Sequence, residues 1–250
     1  MKFDSLRDRL CRLDPRFALT TLDEAEAWVR ERGVVELTSC CSLPSLHAAV
    51  HEPPYKPGSR GFGLYPRTTW WWGGELAGRD GLHALKIHRG KTVLVTTGVA
   101  GLADAAARAA LADAESGALG DLEGRLVRHL AAAGPGEVGD LRAELDVPAR
   151  AFHAARARLE RVAVLVSRPV VLEPHGHSSV LSRWDQTFPR AVRGSIADLI
   201  AAFVRAAVAA PQREVERWLS WPCQERCVAD LVASGRLRRL ENGLLTAAEV

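Results

Sequence analysis

Apolar residues recur at helical spacing through Leu122, Leu126 and Leu130, and Gly134-Pro135-Gly136 then interrupts them. The spacing predicts an amphipathic helix capped by Asp121. A shorter run follows with Val138, Leu141 and Leu145 on one side, closed by Asp146-Val147-Pro148. Pro148 suits the first turn of a third helix, in which Phe152, Ala155 and Leu159 share a face and Arg150, His153, Arg156 and Arg161 point elsewhere. Two β-rich runs, 162–166 and 170–172, flank Ser167-Arg168-Pro169 and predict a hairpin. Helix, helix, helix and hairpin in this order spell a winged helix.

The same spacing returns 74 residues later, where Ile196, Ile200, Val204, Val215 and Leu219 take the places of Leu122, Leu126, Leu130, Leu141 and Leu145. An internal repeat is expected. Its helices are predicted to run from Ser195 to Ala209, from Pro211 through Leu219 and from Pro222 through Ala233, and Asn242-Gly243 marks a tight hairpin. The N-terminal part is less regular. Thr21-Leu22-Asp23-Glu24 has capping-box spacing ahead of a helix that Gly33 ends. A short helix is expected over 43–50, opened by Pro44, then a proline- and glycine-rich loop over 52–66. Residues 82–87 and 92–96 read as a hairpin through Arg89-Gly90, and 99–116 as an alanine-rich connecting helix.

The expected fold is therefore mainly α with small β-wings (α+β), built from tandem winged-helix (helix-turn-helix) units. Its predicted parts are an N-terminal unit over 1–98, a connecting helix over 99–120, a second winged helix over 121–180 and a third over 181–250. Composition narrows the class: 250 residues, 47% hydrophobic and 25% charged, suit a water-soluble chain, and no stretch approaches the roughly 20 apolar residues of a membrane span. The N-terminus lacks the pattern of a secretory signal, so a cytoplasmic, nucleoid-associated protein is expected. Five irregularly placed cysteines do not make a disulfide framework. A net charge of +3 permits nucleic acid as a partner without establishing it.

Charge placement carries more. A third helix can enter the major groove while wings hold phosphates. Arg150, His153 and Arg156 lie early on one such helix, Gln224 and Arg226 on the next, and Arg236, Arg238 and Arg239 on the last wing. Trp70-Trp71-Trp72, read as a strand with alternating faces, puts one or two indoles in the core and leaves Trp70 and Trp72 as candidate stacking groups. Beside them stand the carboxylates Glu75 and Asp80, and a basic hairpin with Lys86, His88, Arg89 and Lys91. Glu75 is the candidate to activate water, and Lys86, Arg89 and Lys91 are candidate DNA contacts. Trp184-Asp185-Gln186 is a second polar-aromatic cluster. The pairs Cys223/Cys227 and His47/His51 each lack a companion pair, so no metal site and no cofactor is expected. His175-Gly176-His177 reads as an exposed loop, and Cys223 and Cys227 as core. P-loop, Rossmann and nucleophile-elbow motifs are absent.

Ser42-Leu43-Pro44-Ser45-Leu46-His47-Ala48-Ala49-Val50, then Thr69-Trp70-Trp71-Trp72, Glu75-Leu76 and Lys86-Ile87-His88-Arg89-Gly90, resemble the AlkZ (YcaQ) crosslink-repair DNA glycosylase superfamily, most closely its AlkZ-related branch. The resemblance implies a C-shaped tandem winged-helix body around double-stranded DNA, with excision of a damaged base as a possible activity. Characterised glycosylases of this superfamily carry a Gln-apolar-Gln or Gln-apolar-Asp motif in their N-terminal part. Here the glutamines are Gln186, Gln212 and Gln224, so that motif is missing. The reading is a monomeric DNA-repair protein acting on damaged duplex, with DNA glycosylase activity as its catalytic form. Its alternatives are a winged-helix transcriptional regulator, a non-catalytic DNA binder or a protein-interaction scaffold.

Overall fold

Thr21 opens the first long helix as expected: its side chain accepts from the Glu24 amide while Glu24 reaches back to the Thr21 amide, and Gly33 ends the helix at φ 74°. The computed structural model describes residues 2–172, 176–222 and 224–249. The helices are α1 (Lys2–Leu10), α2 (Leu22–Arg32), α3 (Leu46–Val50), α4 (Arg67–Ala77), α5 (Thr97–Gly101), α6 (Asp104–Glu115), α7 (Asp121–Ala133), α8 (Val138–Glu144), α9 (Ala149–Arg161), α10 (Trp184–Thr187), α11 (Ile196–Ala207), α12 (Gln212–Val215) and α13 (Gln224–Ala233). The strands are β1 (Val34–Glu36), β2 (Leu82–His88), β3 (Lys91–Thr96), β4 (Gly136–Glu137), β5 (Leu165–Leu172), β6 (Gly176–Arg183), β7 (Ala210–Pro211), β8 (Leu237–Arg239) and β9 (Leu244–Ala247). The fold is α+β, with the strands in small antiparallel sheets.

Those sheets share one topology. Their orders are β1-β3-β2, β4-β6-β5 and β7-β9-β8, so in each the first strand pairs with the last. Each is embedded in the same succession of helix, short strand, helix, helix and hairpin: α2-β1-α3-α4-β2-β3, α7-β4-α8-α9-β5-β6 and α11-β7-α12-α13-β8-β9. The expected 74-residue offset holds in space, because β4 opens at Gly136 and β7 at Ala210.

Several expectations need correction. Trp70-Trp71-Trp72 lies on α4, not on a strand, which places α4 in the position of α9 and α13. Pro44 does not open α3. Ser45 caps it through the Ala48 amide, and Pro44 instead offers its carbonyl to the Glu36 amide. The connecting helix breaks into α5 and α6 around 102–103. Asp121 does not cap α7 but is its first residue, preceded by Gly120 at φ 129° without a side-chain cap. Helix α11 ends at Ala207, where Val208 turns to φ 68°. Helix α12 stops at Val215 instead of running to Leu219, where the chain turns to bury Trp218, Leu219 and Trp221. Strand β5 runs through Ser167-Arg168-Pro169, pairing as far as Leu172 with Gly176. Of the expected His175-Gly176-His177 loop, His175 lies outside the described residues, as does Cys223, while Cys227 is half-buried.

The first unit has an apolar cluster of its own around Trp28 and Trp72, and the second has one around Leu130 and Phe152, but a third and larger cluster joins the units. That cluster runs through Ile87 and Val95 of the first sheet, Ala107 of α6, Trp184 of α10 and Phe203 and Trp218 of the C-terminal unit. Arg32 donates to the carbonyls of Arg205 (2.7 Å) and Ala206 (3.0 Å), and Glu214 receives the Ser42 amide at 2.6 Å. The first unit is thereby tied to the third. Toward the second, Lys86 reaches the buried Glu160 at 2.7 Å.

Candidate functional site

On a helix, successive residues differ by about 100°, so three adjacent tryptophans face three directions. Trp72 turns into the core with Ala25, Val29 and Leu76, at 5% exposure. It cannot stack on a base, and that expectation is corrected. Trp70 is half-buried and committed locally: it stacks on Phe62 at 4.9 Å between centroids and donates its Nε1 to the Phe62 carbonyl. Trp71 is the exposed indole, at 63%. Arg67 precedes it by one turn and Glu75 follows by one turn, so the open face of α4 shows a cation, an indole and a carboxylate in a row. Tyr55, Phe62 and Leu64, from the loop leading into α4, are also exposed, and the Arg67 guanidinium sits 4.0 Å above the Tyr55 ring. A contiguous stretch of chain thus concentrates large apolar groups in water, which marks a contact surface.

The basic hairpin divides. Lys86 is held by Glu160, which also receives Arg156 at 2.8 Å and the Ser167 hydroxyl. Burial pushes the Glu160 carboxyl up, but the neighbouring charges of Lys86 and Arg156 outweigh it and hold the group below the usual glutamate range. Lys86 and Arg156 therefore serve a largely buried ion cluster joining β2, α9 and β5, instead of presenting free charge to DNA. Arg89 and Lys91 remain exposed at the tip. Arg89 adopts φ 52° and Gly90 φ 77°, the paired left-handed positions of a tight hairpin turn. Asn or Gly is the easy residue there, so an arginine is held at some cost in a place where its charge projects furthest. A Cβ on Gly90 would come within 2.9 Å of Arg161 Nε, so Arg161 joins Arg89 and Lys91 in one basic patch.

Of the remaining candidates, Arg150 and His153 are exposed on α9 and Arg226 on α13. Arg236 pairs with Asp198 at 2.7 Å, Arg238 donates to the Ala248 carbonyl and Arg239 to Gln212, all at the surface of the last wing. Gln224 is spent on the backbone: it accepts from the Leu219 amide at 2.8 Å and donates to the carbonyls of Leu219 and Trp221. Gln224→Ala should therefore cost about 1–2 kcal/mol in a denaturant melt and leave duplex affinity unchanged. A tenfold loss of DNA binding at unchanged stability would return Gln224 to the interface.

Trp184-Asp185-Gln186 turns out to be a junction: Trp184 is buried, Asp185 pairs with Arg183, and Gln186 donates to the Leu130 carbonyl. Beside it a cleft of about 240 Å3 opens between Ala77 at the end of α4, His83 of β2, and Ser167, Arg168 and Thr187 of the second unit. His88, expected as a basic group of the hairpin, is instead fully buried, in a group that sequence reasoning did not assemble. Glu36 at the end of β1 and His88 at the end of β2 are both fully buried, with His88 Nε2 3.0 Å from Glu36 Oε1, and Cys40 and Cys41 stand beside them. The signal available was Glu36 four residues ahead of adjacent cysteines. Its partner His88 is distant in sequence and met only through the sheet.

No family model matches this sequence, and no curated protein does. Among solved structures the chain is similar to the Streptomyces sahachiroi DNA glycosylase AlkZ, with a TM-score of 0.56 and 13% identity over 99% of this chain and 69% of that one. The class defined is an AlkZ-like fold. At this identity the likeness is one of fold, and it spans nearly the whole chain. No helix among the described residues is long and apolar enough to cross a membrane.

Proposed function

We propose that the chain is a duplex-DNA-binding repair protein built from three winged-helix units, and that it releases a modified base from damaged DNA. The observation that carries this reading is the open face of α4, where Trp71 stands free between Arg67 and Glu75 in the third-helix position of the first unit. An exposed indole can stack on a base or wedge into a step, and the flanking arginine can hold phosphate. The element order repeated in the three units supports the winged-helix reading, with boundaries near 98, 120 and 180. The neighbour's fold supports the repair reading, since it is that of a DNA glycosylase. Glu75 is the proposed water-activating carboxylate, one turn beyond Trp71 on the open face of α4, where an extruded base would be held. Arg89, Lys91 and Arg161 form the proposed phosphate patch, with Arg150, His153 and Arg226 on third-helix surfaces. The protein acts as a monomer without a cofactor in the reaction.

The test is binding to a short duplex, undamaged or carrying an alkylated or crosslinked base, followed by heat and alkali to reveal abasic sites. Lesion-dependent strand breaks are expected. The triple variant Arg89→Ala, Lys91→Ala, Arg161→Ala should weaken duplex binding roughly 10²-fold at physiological salt and flatten the log K against log salt slope by about 2.7. Absence of salt-dependent binding would sink the DNA reading. Lesion-selective binding without breaks would leave a sensor, and a palindromic footprint on undamaged DNA would mark an operator-reading regulator.

A further inference from the structure

We propose that Glu36, Cys40, Cys41 and His88 form a zinc(II) site that clamps the 37–45 segment onto the first sheet. One ligand atom from each residue lies within 4.8 Å of every other. The Cys40 Sγ to His88 Nε2 distance is 3.6 Å, as required of a thiolate and an imidazole sharing a tetrahedral zinc with bonds of about 2.3 and 2.0 Å. Glu36 is oriented for this. Its Oε2 accepts from the Cys40 amide at 3.2 Å, which leaves Oε1 at the centre, 3.0 Å from His88 Nε2 and 2.9 Å from Cys40 Sγ. The Leu43 amide points at Cys41 Sγ from 3.4 Å, an outer contact suited to a charged thiolate. The sheet supplies the convergence, because Glu36 and His88 end the two outer strands and reach across β3.

The chemistry of the donors selects the ion. Magnesium and calcium take oxygen ligands, whereas two sulfurs, an imidazole and one carboxylate suit zinc. Without an ion the Cys40 thiol and the His88 ring both hydrogen-bond to Glu36 Oε1. Burial, then the adjacent Glu36 carboxylate, pushes the Cys40 thiol up to about 12, and Cys41 is pushed further in the same direction. A divalent cation reverses this: two S–H bonds break, two Zn–S bonds form, and two protons leave to solvent. His88 would bind through Nε2, which now faces Glu36 Oε1 at 3.0 Å, once the hydrogen on that nitrogen moves to Nδ1. The role is structural, since four protein ligands leave no open position. The clamped segment carries Ser42, which the third unit holds through Glu214.

The experiment uses the full chain, stripped of metal by chelator and titrated with zinc and, separately, with cobalt(II) as a spectroscopic stand-in. One equivalent of cobalt should produce a thiolate-to-metal charge-transfer band that zinc displaces. Zinc should release two protons per chain and raise the melting temperature, and it should block alkylation of Cys40 and Cys41, mapped by mass spectrometry, while leaving Cys227 as reactive as before. Cys40→Ser and Cys41→Ser should each weaken metal binding at least tenfold, and Cys227→Ser should not. Where a variant fails to fold, the alkylation map of the unaltered chain decides. A missing band, an unprotected Cys40 or a band undiminished in folded Cys40→Ser overturns the site. The result is independent of DNA binding, since none of these readouts uses DNA.

Discussion

Glu75→Gln is expected to slow base release by roughly 10²- to 10⁴-fold and leave duplex affinity within about twofold, measured by single-turnover cleavage at abasic sites beside a binding titration. Hydrolysis of an N-glycosidic bond joins a water oxygen to C1′ as the bond to the base breaks, and the base leaves with the electron pair. The water must lose a proton, and a carboxylate can take it where an amide of the same shape cannot. Glu75 occupies the exposed face of α4 one turn beyond Trp71, so an indole holding the damaged step would bring the sugar toward it. Neutralising Glu75 removes a negative charge from the face proposed to meet DNA, so binding should if anything tighten. Unchanged release in Glu75→Gln would move the base to another residue while leaving α4 as the contact helix.

Asp104→Ala is expected to cost about 3–5 kcal/mol, read from denaturant midpoints, through groups stranded in the interior. Asp104 is buried at the start of α6 and accepts from Trp184 Nε1 at 2.7 Å, the Val192 amide at 3.0 Å and Arg108 Nε at 2.9 Å. Alanine leaves the indole and amide protons without an acceptor and the Arg108 charge without a counter-ion. The effect depends on pH. Burial raises the Asp104 carboxyl, but the hydrogen bonds from Arg108, Trp184 and Val192 outweigh it, so the folded group titrates below the ordinary aspartate range. A folded value below the unfolded one stabilises the fold above the unfolded pKa, and the stabilisation fades as pH falls through the folded value. The gap between wild type and Asp104→Asn should therefore be full at neutral pH and shrink in acid. A gap independent of pH would mean that packing, not charge, carries the cost.

Local chemistry explains what the sequence made legible. Capping at Thr21 and the leucine spacing in 121–161 act within a few residues, and the structure follows them, whereas the last hairpin turns on Glu241-Asn242, with the Gly243 amide bonded to the Leu240 carbonyl and only Gly243 left-handed, at φ 79°. Other errors arose where a long-range contact decided. Tryptophan favours strands, yet Trp72 and Leu76 are buried on one side of α4 by packing on α2 and α3, and that fixes a helix. Lys86 and Arg156 look like free cations until β2 and α9 are seen to share Glu160. Gln224 looks like a base reader at the head of a helix, but the turn before it has backbone groups to satisfy. The Glu36 and His88 pairing depends on strand order, which no local pattern encodes.

The core that runs unbroken through the first unit, α6, α10 and the C-terminal unit has a bearing on how damage would be sensed. If the chain reads DNA as proposed, its first and third units, joined through this core, would leave most of the accommodation to the DNA. An intact duplex resists bending over roughly 150 base pairs, while a lesion or crosslink that disturbs stacking introduces a local joint. Discrimination would then rest on flexural compliance, and adducts with nothing chemically in common could be sorted together by the softness they impart.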